Sequence, residues 1–149
     1  MKYIISTIGK IKSNDEDLIT RKYLKRIKNI ELKQYEVKTK NKEKKIEEEA
    51  DKLINSTPKN GKLILLDEEG ENISSSDLAK LILNWSHNNV TSVNFVIGGA
   101  FGNGVKIKKT ADKIIAFGKV TWPHQMVKMM IAEQIYRIET IINGHPYHK

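Results

Sequence analysis

The chain has 149 residues, with 26 Lys and Arg against 18 Asp and Glu, a formal net charge of +8 and no cysteine. That length suits one domain with a real core, no apolar run is long enough to span a bilayer, and disulfide frameworks, cysteine-based metal sites and thiol nucleophiles are excluded. The positive balance points to a polyanion such as nucleic acid, although Arg21, Arg26 and Arg137 are the only arginines and a Lys-, Ile- and Asn-rich composition also arises from genomic base bias.

The first residues, Met1 to Thr7, lack the long apolar stretch and small-residue cleavage site of a signal peptide, so a cytoplasmic location is expected. Lys2 to Ile8 is apolar, β-branched and closed by Gly9, which predicts a strand. Asp15 to Lys28 predicts an amphipathic helix, with Ile19, Tyr23, Leu24 and Ile27 inward. Its other face carries Arg21, Lys22, Lys25 and Lys28, either as a solvated face or as a phosphate-contacting strip. Ile30 to Val37 is a second strand. Lys38 to Lys45 is a basic link into a helix that carries Ile46, Ala50, Leu53 and Ile54. Glu47, Glu48, Glu49 and Asp51 follow those lysines, so the region is near neutral and reads as solvated surface. Asn55 to Gly61 is a loop.

Lys62 to Leu66 is a nearly continuous apolar run, as a strand covered on both faces requires. Asp67-Glu68-Glu69-Gly70 ends it. Ser74 to Ser76 offer N-caps for a helix that buries Leu78, Leu81, Ile82 and Trp85. Val93 to Ile97 is the next buried strand, followed by the punctuated loop GGAFGNG at Gly98 to Gly104. Val105 to Ala111 predicts a short basic helix, and Lys113 to Phe117 a strand. After the loop Gly118 to Trp122, Pro123 opens a long helix to Ile142, which stops at Asn143-Gly144. This alternation argues for a single α/β domain over residues 1–149, with a largely parallel sheet and helices on both faces.

On the last helix, Val127, Met130, Ile131, Ile135, Ile138, Ile141 and Ile142 form one stripe, while Met129, Ala132 and Tyr136 fall on the opposite side. Three of the four methionines lie at Met126, Met129 and Met130, and methionine suits adaptable contact surfaces. A homodimer packed through this helix is the expectation; the alternative is a helix buried wholly within its own domain.

Two loops are expected to close around one ligand, which binds beyond the C-terminal strand ends of a parallel sheet. Leu66, Gly99 and Lys119 to His124 fall at such ends. Gly98-Gly99 either lets backbone approach a ligand or makes a tight turn. The unpaired N–H groups at the start of the long helix suit an anionic or polar ligand group. GGAFGNG lacks the dinucleotide spacing, and no Gly-Lys-Ser/Thr follows it. His145-Pro146-Tyr147-His148 has a spacing open to metal, but Pro146 prevents a regular helix and no third ligand is evident, so no metal is expected. That tail either stays ordered and supplies acid–base groups and phosphate contacts, or frays. His124 reads as structural.

Phe95–Gly102 (FVIGGAFG), Phe117–Arg137 (FGKVTWPHQMVKMMIAEQIYR) and Asn143–Lys149 (NGHPYHK) are three ordered signatures, with TIGK and YLKRI earlier, in a likeness that runs over essentially the whole chain. Together they resemble the RlmH family of small SPOUT-class RNA methyltransferases. The resemblance implies the SPOUT α/β fold, whose C-terminal segment threads a loop into a trefoil knot. It implies S-adenosylmethionine as cofactor, held by Leu66, Gly99, Lys119, Val120, Thr121, Trp122, Pro123 and His124. It also implies methylation at N3 of a pseudouridine in the helix 69 loop of 23S ribosomal RNA, on the assembled ribosome, by a homodimer. Trp122 departs from the aliphatic residue common there, and its ring should narrow the adenine pocket. On this reading Tyr147 or His148 orients or deprotonates the base, His145 positions it, and Arg137 binds a phosphate or stabilises the anion. Arg21, Lys22, Lys25 and Lys149 contact RNA. The competing readings are a knot methyltransferase for another RNA and a non-catalytic, ribosome-associated RNA-binding protein.

Overall fold

Successive strand residues leave a sheet on opposite faces, and in the middle of this chain both sets are apolar. The computed structural model describes residues 1–149. In it Ile64 and Leu66 join one buried cluster while Leu63 and Leu65 join the other. The same split separates Val93, Phe95 and Ile97 from Val96. A sheet covered on both faces is therefore what KLILL specified.

The elements run β1 (Lys2–Ile8), α1 (Asp15–Leu24), β2 (Ile30–Tyr35), α2 (Lys42–Asn55), β3 (Gly61–Asn72), α3 (Ser75–His87), β4 (Ser92–Ile97), α4 (Val105–Thr110), β5 (Lys113–Ala116) and α5 (His124–Ile142). The strand order is β2-β1-β4-β3-β5, and every pair is parallel. Helices α1, α3 and α5 pack on the face that carries Phe95. Helices α2 and α4 cover the other. On that second face Asn94 anchors a buried polar group: Ser6 Oγ donates to its Oδ1 at 2.9 Å, and its Nδ2 donates to Ser56 Oγ at 2.8 Å and Thr57 Oγ1 at 2.9 Å.

Several boundaries differ from the sequence expectation. Helix α1 stops at Leu24, and Ile27 reaches the core from a following turn in which the Arg26 and Ile27 N–H groups donate to Tyr23 and Leu24 carbonyls. Ile19, expected inward, is 39% exposed. Only the end of the lysine-rich link, Lys42 to Lys45, is the first turn of α2, which Asn41 caps by accepting the Lys44 N–H. Pro123 is the cap of α5: its ψ of 138° is extended, and its carbonyl accepts the Met126 and Val127 N–H groups.

The largest difference is β3, which does not end at Leu66. Its pairing with β5 breaks between Leu66 and Glu71, and Ile115 is in register with both. Residues 67–70 thus leave β5 and bring the chain back to the same residue. Gly70 lies on the Ile115 main chain, where a β-carbon would come within 2.5 Å of the carbonyl carbon. Only glycine allows that approach.

Candidate functional site

Residues 66–69, where β3 leaves β5, and the loops that follow β4 and β5 enclose a cavity of about 390 Å³, within the range of roughly 300–1,000 Å³ usual for small-ligand sites. Leu66, Ile97, Ile115, Phe117, Trp122 and Val127 give it an apolar wall. Asp67, Glu68, Asn103, Lys108 and Thr121 supply polar groups.

The loops hold one another. Thr121 Oγ1 donates to Glu68 Oε2 at 2.6 Å, and Trp122 Nε1 donates to the Phe117 carbonyl at 2.8 Å. Asn103 Nδ2 donates to the Leu66 carbonyl at 3.2 Å and to Asp67 Oδ2 at 2.8 Å. Lys108 Nζ lies 2.7 Å from Glu69 Oε2 and 3.6 Å from Asp67 Oδ2. Burial pushes the Asp67 carboxyl up, but hydrogen bonds from Asn103 and the Glu69 N–H, with the Lys108 charge, outweigh it and hold the group below its usual range. Asn103 Oδ1 is buried with no partner. Beneath the β4 loop, Glu49 is 3% exposed, and both its oxygens lack partners. A β-carbon at Gly98 would collide with Asn103 Oδ1, and one at Gly99 with Glu49 Oε2. The double glycine is needed for this double approach.

Of the residues expected to hold a cofactor, Leu66, Gly99, Val120, Thr121, Trp122 and His124 line the cavity. Lys119 and Pro123 are exposed beside it. The Trp122 ring forms part of the wall, pinned by its N–H.

The tail packs against α5. Tyr147 donates its hydroxyl proton to Glu133 Oε1 at 3.1 Å, the same oxygen that Arg137 grips from Nε at 3.0 Å and Nη2 at 2.5 Å. His148 places Nδ1 3.2 Å from Arg137 Nη1 and Nε2 3.4 Å from Ser76 Oγ. The Arg137 guanidinium stands 4.9 Å over the Tyr147 ring, which meets Tyr136 edge-on at 4.7 Å. His145 Nδ1 accepts the Tyr147 N–H at 3.3 Å. The neighbouring Tyr23 hydroxyl, then burial and Glu133, push the Tyr147 phenol above its ordinary range, so here it is a proton donor. All four catalytic candidates therefore meet in one cluster. None lines the cavity. Arg137 is about 20 Å along α5 from His124, at 1.5 Å per residue.

A groove of about 300 Å³ lies between, lined by Ile19, Tyr23, Phe117, Met129, Met130 and Glu133. Phe117 belongs to both cavity walls. The second apolar side expected of α5 is thus composed differently. Ala132 is fully buried in the chain's own core, and Tyr136 is half-buried among Tyr23 and Tyr147. What stays open is Met129 and Met130 with Ile19, and Leu18 nearby on α1 is 56% exposed.

On α1, Arg21 bonds Asp17 at 2.7 Å, while Lys22 and Lys25 are exposed. Asp17 is buried and also lies 3.8 Å from the buried Lys128, whose ammonium burial holds below its usual pKa. Arg26 stands 5.6 Å over both Tyr23 and Tyr136, so the basic strip adjoins the tail. Lys149 is exposed at its end.

Asp67, Glu68, Asn103 and Glu133 were missed as site residues from sequence. Asp67 and Glu68 directly follow the apolar run Lys62 to Leu66, and the end of such a run is where parallel sheets place ligands. Glu133 stands four residues before Arg137, the helical pairing distance.

A family model described as "Predicted SPOUT methyltransferase" matches residues 1–148. The ribosomal RNA large subunit methyltransferase H of Paramagnetospirillum magneticum is 36% identical over 151 residues, covering 100% of this chain and 99% of that protein. The protein of the same name from Nitrobacter hamburgensis is 35% identical over 159 residues, with 100% and 99% covered. That from Rhodospirillum centenum is 43% identical over 101 residues, covering 68% of this chain and 66% of its own length.

Proposed function

The chain belongs to the SPOUT methyltransferase family, and on that premise we propose that it methylates N3 of a pseudouridine in the helix 69 loop of 23S ribosomal RNA. The reading has S-adenosylmethionine as donor, the assembled ribosome as substrate, and a cytoplasmic homodimer as the working form. The observation that carries it is the cavity between the three strand-end loops.

The residues of that cavity fit a cationic nucleoside. The apolar wall suits an adenine, the Asp67 and Glu68 carboxylates suit a cationic donor, and the partnerless Asn103 oxygen awaits an N–H or O–H. When bound, S-adenosylmethionine supplies an electrophilic methyl group, and the protein is left to position, desolvate and manage one proton. The imide N3 of pseudouridine must lose its proton to become a nucleophile. In the tail cluster, Arg137 stabilises the resulting anion, His148 or the Tyr147–Glu133 pair handles the proton, and His145 holds the Tyr147 main chain.

Because that cluster lies far along α5 from its own chain's cavity, the tail serves the other subunit's site. The open Leu18, Ile19, Met129 and Met130 patch supports the pairing of α5 across the dimer. The return of β3 to Ile115 supports a loop through which the C-terminal segment threads.

The test is transfer of label from S-adenosylmethionine to intact ribosomes, separated subunits and naked RNA. Label recovered as N3-methylpseudouridine in 23S RNA of intact ribosomes is the expected result. Label on tRNA, or no binding of the donor by calorimetry, overturns the reading.

A further inference from the structure

The α2 surface beside the cavity is not the neutral face that its composition indicates. Lys42, Lys45, Ile46 and Glu49 share one side of the helix, and that side meets the β4 loop. Ile46 abuts Gly104, Glu49 sits beneath Gly99, and the Lys42 and Lys45 ammonium groups lie 5.6 and 5.8 Å from the centre of the Phe101 ring. Of the nearby acids, Asp51 pairs with Lys106 and Glu48 with the Thr39 hydroxyl, while Glu49 is buried beneath the loop and forms no ion pair with either lysine. Helical geometry has sorted the charges and left two cations beside one aromatic ring.

Phe101 itself is 49% exposed. Its neighbours Ala100 and Gly102 line the cavity while its own ring turns out of it. A lone exposed phenyl needs no explanation. A ring held on a docked loop, at the rim of a ligand cavity and between two free lysines, combines the two features that single-stranded nucleic acid uses: a face on which a base stacks and cations for the adjoining phosphates.

We propose that Phe101 is the stacking platform for an unpaired nucleotide flanking the one that is methylated, with Lys42 and Lys45 holding its phosphates. The inference rests on the RNA methyltransferase reading above. The target base cannot use this platform, since the ring faces away from the cavity; the platform sets which way the strand enters.

The experiment measures methylation of intact ribosomes by Phe101→Leu, Phe101→Trp and a Lys42→Gln/Lys45→Gln double variant, with S-adenosylmethionine affinity measured by calorimetry. Phe101→Leu is expected to raise KM for ribosomes by roughly ten-fold, the loss of one stacked base, while donor affinity is retained. Phe101→Trp restores the KM. The double lysine variant flattens the log–log salt dependence by about 0.7 for each phosphate no longer neutralised, and Phe101→Leu leaves that slope alone. An unchanged KM in Phe101→Leu overturns the platform while leaving the methyltransferase reading intact. So does loss of donor affinity in that variant, which makes the ring a loop support only. A wild-type chain that methylates no ribosomal RNA removes the reading and the platform together.

Discussion

The Asn103 carboxamide donates to the Asp67 carboxylate at 2.8 Å and leaves its own oxygen buried without a partner. One end of the group ties the β4 loop to residues 67–70 of β3, and the other lies against Gly98; on the reading proposed above it accepts from the ligand. Asn103→Leu keeps the shape but removes both. The affinity for S-adenosylmethionine should fall about two- to ten-fold, since a hydrogen bond contributes roughly 0.5–1.5 kcal/mol. The melting temperature should change little, because a buried partnerless acceptor goes with the tie. Calorimetry showing unaltered affinity would mean that the oxygen faces no part of the ligand.

The separation between the tail cluster and the cavity makes a complementation prediction. Arg137→Ala should lower kcat by about 100-fold or more, as for other groups that act on a proton or charge in the transition state. Gly99→Trp should distort the β4 loop that lines the cavity, because its side chain would collide with Glu49 beneath that loop. Each variant alone should methylate ribosomes far more slowly than wild type. Mixed after co-expression, they form heterodimers with one complete site only if each tail serves its partner's cavity. Absence of recovered activity in purified heterodimers returns the tail to its own chain.

Glu49 predicts a pH-dependent stability. Burial raises its carboxyl pKa in the folded chain, an effect that the Lys45 charge only partly offsets. In the unfolded chain the group titrates near its ordinary value, about 4.3. Below that pH both states hold the proton and Glu49 imposes no penalty. As pH rises, the unfolded state ionises first, so stability falls until the folded group ionises too. Glu49→Gln should abolish this part of the decline and be at least as stable as wild type at neutral pH. Urea titrations from pH 4 to 8 that show parallel curves for both chains would contradict it.

Asn94 predicts a core effect of a different kind. Asn94→Ala strips partners from Ser6, Ser56 and Thr57 in one step. Ser56 keeps its bonds to Ser6 and to the Leu53 carbonyl, so the loss is that of the Asn94 bonds themselves, about 1 kcal/mol each, and the urea midpoint should drop with little change in slope. The cavity at the C-terminal ends of the strands should keep its affinity for the proposed donor.

What local order dictates is legible in the sequence alone. The alternation of periods two and 3.6 gave the α/β class, KLILL gave a strand covered twice, and Gly98-Gly99 and Pro123 marked loops that do line or border the cavity. These signals work because strand and helix periodicities, proline and glycine act within a few residues. The continuation of β3 to Asn72 was hidden, because only Ile115, far along the chain, supplies the second pairing. Asn103 and Glu133 were hidden for the same reason: their roles exist only where Asp67 and Tyr147 are brought to them. Composition made the Lys38–Asp51 stretch look neutral, yet helix geometry put Lys42 and Lys45 against Phe101 and sent Asp51 to Lys106. Net charge sums over a segment, whereas a binding surface depends on which side of the helix each charge leaves, and the packed fold alone decides that.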